Sequence, residues 1–74
     1  MLTSNANRAA TLRQVEVLCL LASGLTSREV ANVLSISEHT VIRHISNMMH
    51  LFEAKNRLEL LALAMACGIV DYEH

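Results

Sequence analysis

Two helix-start signals stand close together in the middle of the chain and leave little choice about what lies between them. Thr26 precedes Glu29 by three positions, and Ser37 precedes Thr40 by the same interval. A capping Ser or Thr accepts a bond from the backbone N–H three residues on, and a polar residue at that third position can reach back. The segment between the caps therefore holds one short helix, about 27–34, and a link, Ser35-Ile36-Ser37, that runs straight into the next helix start. So short a link makes two short helices cross steeply, whereas a plain bundle favours longer helices that run nearly antiparallel. This is the arrangement of a helix-turn-helix.

The same signature recurs at both ends of the chain. Thr11 with Gln14 and Asn56 with Glu59 each place a capping side chain three residues before a polar partner; Thr40 is the weakest partner of the four. The expected helices are about 12–23, 27–34, 38–53 and 57–67. Gly24 and Gly68 follow the first and last, where a left-handed residue closes a helix. Proline is absent, and 53% of the 74 residues are hydrophobic, as a domain this small requires. The fold class is all-α, a single domain over 11–74 preceded by a polar stretch, 1–10, read as a flexible tail or linker remnant. The expected core takes Val17, Leu18, Leu21 and Leu20 from the first helix and Val30, Ala31 and Leu34 from the second. Ile36 plugs the turn, and Val41, Ile45, Met48 and Phe52 come from the third helix.

Composition narrows the function. The formal net charge is −1, whereas isolated nucleic-acid-binding domains are usually basic. Position matters more than the total: Arg28, Arg43, Lys55 and Arg57 all lie in or beside the central unit, while Glu29, Glu38 and Glu59 fall at helix starts. Cys19 and Cys67 sit in apolar helical runs and are expected to be buried, reduced thiols. No apolar run is long enough to span a membrane and no signal peptide is visible, so a cytoplasmic protein is expected. His39, His44 and His50 lie five and six positions apart, so neighbours diverge around a helix and no metal site is expected. There is no nucleotide loop, nucleophile elbow or carboxylate pair, hence no expected enzyme activity or cofactor. One Phe and one Tyr offer little for stacking on single strands.

The third helix carries the informative chemistry. Opposite its core stripe lie His39, Arg43, Ser46 and His50, flanked by Asn47, all able to hydrogen-bond and none acidic. The bland reading is an ordinary solvated face. The sharper reading makes Arg43 the reader of a guanine edge, with Ser46, His39 and Ile42 shaping the site around it. Ser37 and Thr40, with the helix N-terminal amides, suit a phosphate oxygen, and Thr26, Ser27 and Arg28 could clamp the backbone beside it. Asn47 and Arg57 join that backbone set. Arg57 also has a bland reading, an ion pair with Glu53.

Strings along nearly the whole chain, residues 10 to 70, carry a family likeness. Thr11-Leu12-Arg13-Gln14-Val15-Glu16-Val17-Leu18 is similar to L-T-x-R-E-x-E-V-L, and Ala22-Ser23-Gly24-Leu25-Thr26-Ser27-Arg28-Glu29-Val30-Ala31 resembles A-x-G-x-S-x-x-E-I-A. Leu34-Ser35-Ile36-Ser37, Thr40-Val41 and His44 resemble L-x-I-S-x-x-T-V-K-x-H; Asn56-Arg57, Glu59, Ala64 and Gly68 resemble N-R-x-E…A…G. The chain thus resembles the DNA-binding domain of LuxR/FixJ (NarL-type) bacterial transcription regulators. The resemblance implies a four-helix domain whose third helix enters the major groove of double-stranded DNA and whose fourth often dimerises. It departs from the pattern at Ile42 and Leu51, where the family carries cations, at Glu53, where it often has Gly, and at Gln14, where it has Glu. Fewer cations mean fewer neutralised phosphates and weaker, less salt-dependent binding.

The fourth helix, RLELLALAMAC, is apolar on nearly every side. With Leu60, Ala64 and Cys67 turned to the core, Leu58, Ala62, Met65 and Ile69 form a second stripe with Leu61 at its edge. That stripe is expected to make a homodimer; the other occupants considered are an upstream domain and the tail around Val70 and Tyr72. Two functional classes follow: sequence-specific binding of duplex DNA as a transcription regulator, or an interaction module on the same fold that pairs with a related regulator. An upstream receiver or sensor domain outside this chain is a further expected partner.

Overall fold

The computed structural model describes residues 10–66, and within them the chain forms four α-helices and no strand. They are α1 (Leu12–Ala22), α2 (Ser27–Leu34), α3 (Glu38–Leu51) and α4 (Arg57–Ala66). All four begin where the capping residues place them. Thr11 Oγ1 accepts from Gln14 N–H at 3.1 Å while Gln14 Oε1 accepts from Thr11 N–H at 3.0 Å. Thr26 and Glu29 close the same reciprocal box at 3.2 and 2.9 Å. The two later starts are variants of it. Ser37 Oγ accepts from Thr40 N–H at 3.0 Å, but the Thr40 hydroxyl turns to Ser37 Oγ, 2.8 Å away, and not to the backbone. At α4, Asn56 Oδ1 accepts from Glu59 N–H at 2.8 Å, and the Glu59 carboxylate reaches one residue further back, to Lys55 N–H at 2.6 Å.

Three helix ends share one closing motif. Beyond α1, Gly24 N–H donates to Leu21 O and Leu25 N–H to Leu20 O, with Gly24 at φ +100°. Beyond α2, Ser35 N–H donates to Asn32 O and Ile36 N–H to Ala31 O; beyond α3, Glu53 N–H donates to His50 O and Ala54 N–H to Met49 O. These paired bonds satisfy carbonyls that the helix leaves orphaned, and they need a left-handed residue at the turn. Gly24 supplies it without strain, while Ser35 (φ 58°) and Glu53 (φ 55°) adopt it against the preference of an L side chain. This corrects the expected end of α3: the helix stops at Leu51 because Glu53 turns left-handed and the chain leaves.

α3 is the central element and packs against the other three; α4 packs on α1 and α3. Val17, Leu18, Val30, Val41, Met48, Leu60 and Ala64 are fully buried, joined by Leu21, Ala31, Ile45 and Phe52. Each large side chain among them contributes ~1.5–3 kcal/mol of burial. Leu20 and Leu34, expected inside, are half-buried and pack on the rim of this core. Cys19 is likewise half-buried, on a shallow apolar groove with Val15, Leu20, Val33 and Leu34, and not the buried thiol that its apolar run suggests. Cys67, Gly68 and Ile69 lie outside the described residues, as do all but Ala10 of the expected tail. No helix among the described residues is long and apolar enough to cross a membrane.

Candidate nucleic-acid interface

The core dictates which side of α3 is left over. Val41, Ile45 and Met48, with Phe52 after the helix, form the buried stripe. At 100° per residue, His39, Arg43, Ser46 and His50 fall opposite it, and all four are exposed. Ile42, 48% exposed, borders this face on one side, and exposed Asn47 borders it on the other. His44 and Thr40 are half-buried on the shoulder. Among the described residues the one ion pair is Arg13–Glu16, 3.4 Å apart on α1, so the Arg43 guanidinium has no carboxylate partner. The stripe continues into an open hollow lined by Ser46, Asn47, Met49, His50, Glu53 and Ala54.

The residues expected at the DNA backbone divide into two groups. Ser37 and Thr40 cap α3, with their hydroxyls bonded to each other. Thr26 caps α2, and Arg28 is exposed two residues on, within the first turn. Ser27 differs from a simple surface contact: it is only 8% exposed, and its Oγ accepts a hydrogen bond from Arg57 Nη2 at 3.0 Å. That bond also answers the bland reading of Arg57. The guanidinium turns to Ser27 on α2, and no ion pair with Glu53 is present among the described residues. The residues are 30 positions apart, so no local spacing in the sequence could have announced the contact.

α4 presents the second surface. Leu60 and Ala64 are fully buried; Leu58 is 78% exposed, Ala62 is exposed, and Leu61 and Met65 are half-buried. The fifth member of the expected stripe, Ile69, is outside the described residues.

A short helix, a tight turn and a helix whose free face is polar are the geometry of a helix-turn-helix, and comparison with known proteins shows which family's it is. The family described as bacterial regulatory proteins, LuxR family, matches residues 10–64. The chain belongs to the LuxR family. Its four helices are that family's helix-turn-helix domain. The chain is 35% identical over 69 residues to the transcriptional activator protein SolR of Ralstonia solanacearum, which covers 93% of this chain and 29% of SolR. It is 41% identical over 58 residues to the regulatory protein SdiA of Escherichia coli, covering 78% of this chain and 24% of SdiA. It is 36% identical over 70 residues to the quorum sensing-dependent transcriptional regulator VjbR of Brucella abortus, covering 90% of this chain and 27% of VjbR. The chain therefore spans less than a third of the length of each of these relatives. No solved structure matches it.

Proposed function

We propose that this LuxR-family chain binds double-stranded DNA in a sequence-specific manner and regulates bacterial transcription, with α3 in the major groove and α4 pairing two copies. The observation that carries the reading is the outward face of α3: His39, Arg43, Ser46 and His50 are exposed together, free of acidic residues, on the helix that the core holds most firmly. Arg43 is the main base reader, because a guanidinium fork can meet both acceptors of a guanine edge. Ser46 and His39 add hydrogen bonds beside it. Ile42 offers a methyl group to a thymine, which makes the apolar departure from the family pattern a change of preference. Thr26, Arg28, Ser37, Thr40, Asn47 and Arg57, with Ser27 behind Arg57, hold the DNA backbone. Leu58, Leu61, Ala62, Met65 and Ile69 form the dimer surface; a two-fold pair would set two copies of α3 about one DNA turn, ~34 Å, apart. SolR and VjbR are named as transcriptional regulators, which supports the same reading for this chain. Their greater length is consistent with an additional sensor or receiver domain as a partner. A regulator that works on DNA would be cytoplasmic and associated with the nucleoid.

Binding to a random-sequence duplex across a salt series tests the reading. Log affinity falls linearly with log salt, at roughly 0.9 per neutralised phosphate. A second reading is favoured by the net charge of −1 and by Ile42 standing exposed where the family carries a cation. There the domain pairs with a related regulator and has little affinity for DNA, and the duplex would not bind even at low salt.

A further inference from the structure

Side-chain hydrogen bonds in this domain are almost all local. Among the described residues, every one but the Arg57–Ser27 bond joins groups three or four positions apart, at a helix start or a last turn. The exception links the first residue of α4 to the first residue of α2. α4 packs mainly on α1 and α3, with Leu60 and Ala64 in the apolar core, and this bond is its side-chain hydrogen bond to α2 among the described residues. The two partners differ in accessibility. Ser27 is 8% exposed, while Arg57 is exposed, and among the described residues only one guanidinium nitrogen, Nη2, is hydrogen-bonded. An arginine fork carries five N–H donors, and a hydroxyl that accepts one of them can still donate its own hydrogen. Arg28 and Lys55, both exposed and close in sequence to these two partners, make no such side-chain bond among the described residues.

We propose that Ser27 is a positioning residue for Arg57: it holds the guanidinium at the start of α2 in the free protein, so that the remaining N–H groups meet a DNA phosphate already ordered. This rests on the reading of Arg57 as a contact to the DNA backbone. The advantage is entropic. A long cationic side chain that is free in solution loses its rotamer freedom when it binds, and one already tethered does not. Serine suits the position because it is small enough to be buried at the first turn of α2 and still carries an acceptor.

A double-mutant cycle on the full chain tests it, with binding to a random-sequence duplex of about three helical turns followed by fluorescence anisotropy over a salt series. Ser27→Ala is expected to weaken binding about fivefold, the scale of immobilising one long side chain. The salt slope should stay unchanged, because the cation is still present. Ser27→Thr keeps the hydroxyl and should keep the affinity. Arg57→Ala is expected to weaken binding further and reduce the slope by about one, and adding Ser27→Ala to it should cost nothing more. Arg57→Lys keeps the charge without the fork; it should reproduce the Ser27→Ala phenotype and leaves Ser27 itself untouched. Additive losses in the cycle, or a Ser27→Thr variant as weak as Ser27→Ala, would overturn the positioning role while Arg57 stays a phosphate contact. An Arg57→Ala variant with unchanged affinity and slope would overturn both.

Discussion

α3 and α4 both pack one face on the same core and leave a second face outside, and those outer faces are chemical opposites. On α3 the outer residues are His39, Arg43, Ser46 and His50; on α4 they are the exposed Leu58 and Ala62, with Met65 half-buried beside them. Helical geometry is the same in both, so the difference lies wholly in side-chain choice. A polar face without acids suits a polyanion, whose phosphates and base edges offer acceptors. An apolar face suits another apolar face, because water is expelled from both. In the proposed function one small core presents two helices to two kinds of partner, and each face should be alterable with little effect on the other.

The largest effect should come from the inner side of α4. Leu60 is fully buried and Leu58, two positions away, is 78% exposed. Leu60→Ala is expected to cost about 2–5 kcal/mol of folding stability, while Leu58→Ala should change it by less than about 0.5 kcal/mol. Chemical denaturation at low protein concentration, where dimers do not contribute, separates the two. Equal losses would mean that the outer face is already covered within the monomer.

The outer face of α4 is tested next. Met65→Glu places a charge in the middle of the apolar stripe, while Leu60 and Ala64 hold the core. Burying one unpaired carboxylate at a self-complementary interface places two close together, and each costs several kcal/mol to desolvate. Sedimentation should show the wild-type chain as a dimer at high micromolar concentration and the variant as a monomer. A wild-type monomer, or a variant that still dimerises, would move the interface elsewhere.

On α3 the effect should be smaller and more selective. Arg43→Ala is expected to cost ~1–3 kcal/mol of binding, concentrated at one base pair. Affinities measured against a panel of single-base variants of a selected site would reveal this. A uniform loss across the panel would make Arg43 a phosphate contact and leave the base reading to its neighbours.

What could be read from the sequence follows the range over which each interaction acts. Helix starts were legible because a cap and its partner lie three residues apart, as at Thr26 and Glu29. The outward face of α3 was legible because burial of Val41, Ile45 and Met48 fixes by periodicity what must lie opposite. Periodicity gives the direction of a side chain but not the depth of what covers it. Leu20, Leu34 and Cys19 point toward neighbours and still end half-buried, since no element closes over them among the described residues. The Arg57–Ser27 bond depends on two helix starts meeting in space, which no one-dimensional pattern encodes. The end of α3 is hidden in the sequence because the left-handed residue that terminates it is a glutamate, which by propensity belongs in a helix.

That glutamate joins the two contrasted faces, and it sets the smallest prediction. Glu53 lies between α3 and α4 with φ 55°, and Ala54 N–H closes the turn onto Met49 O at 2.8 Å. A left-handed L residue costs roughly 1–2 kcal/mol, and glycine removes that strain while losing about 0.5–1 kcal/mol of chain entropy on folding. Glu53→Gly should therefore stabilise the domain by about 0.5–1 kcal/mol, a rise of a few degrees in Tm. The family's frequent Gly at this position then has a backbone reason. The opposite change at the equivalent place, Gly24→Ala, meets no neighbour within 4 Å but forces a side chain to φ +100°, so it should destabilise through backbone strain alone. Charge is the competing cause, because Glu53 sits just past the C-terminus of α3, where a carboxylate meets the negative end of the helix dipole. Glu53→Gln separates the two: it removes the charge and keeps the strained backbone. If Gln stabilises the domain as much as Gly does, the gain is electrostatic, and the junction between the faces stores no backbone strain.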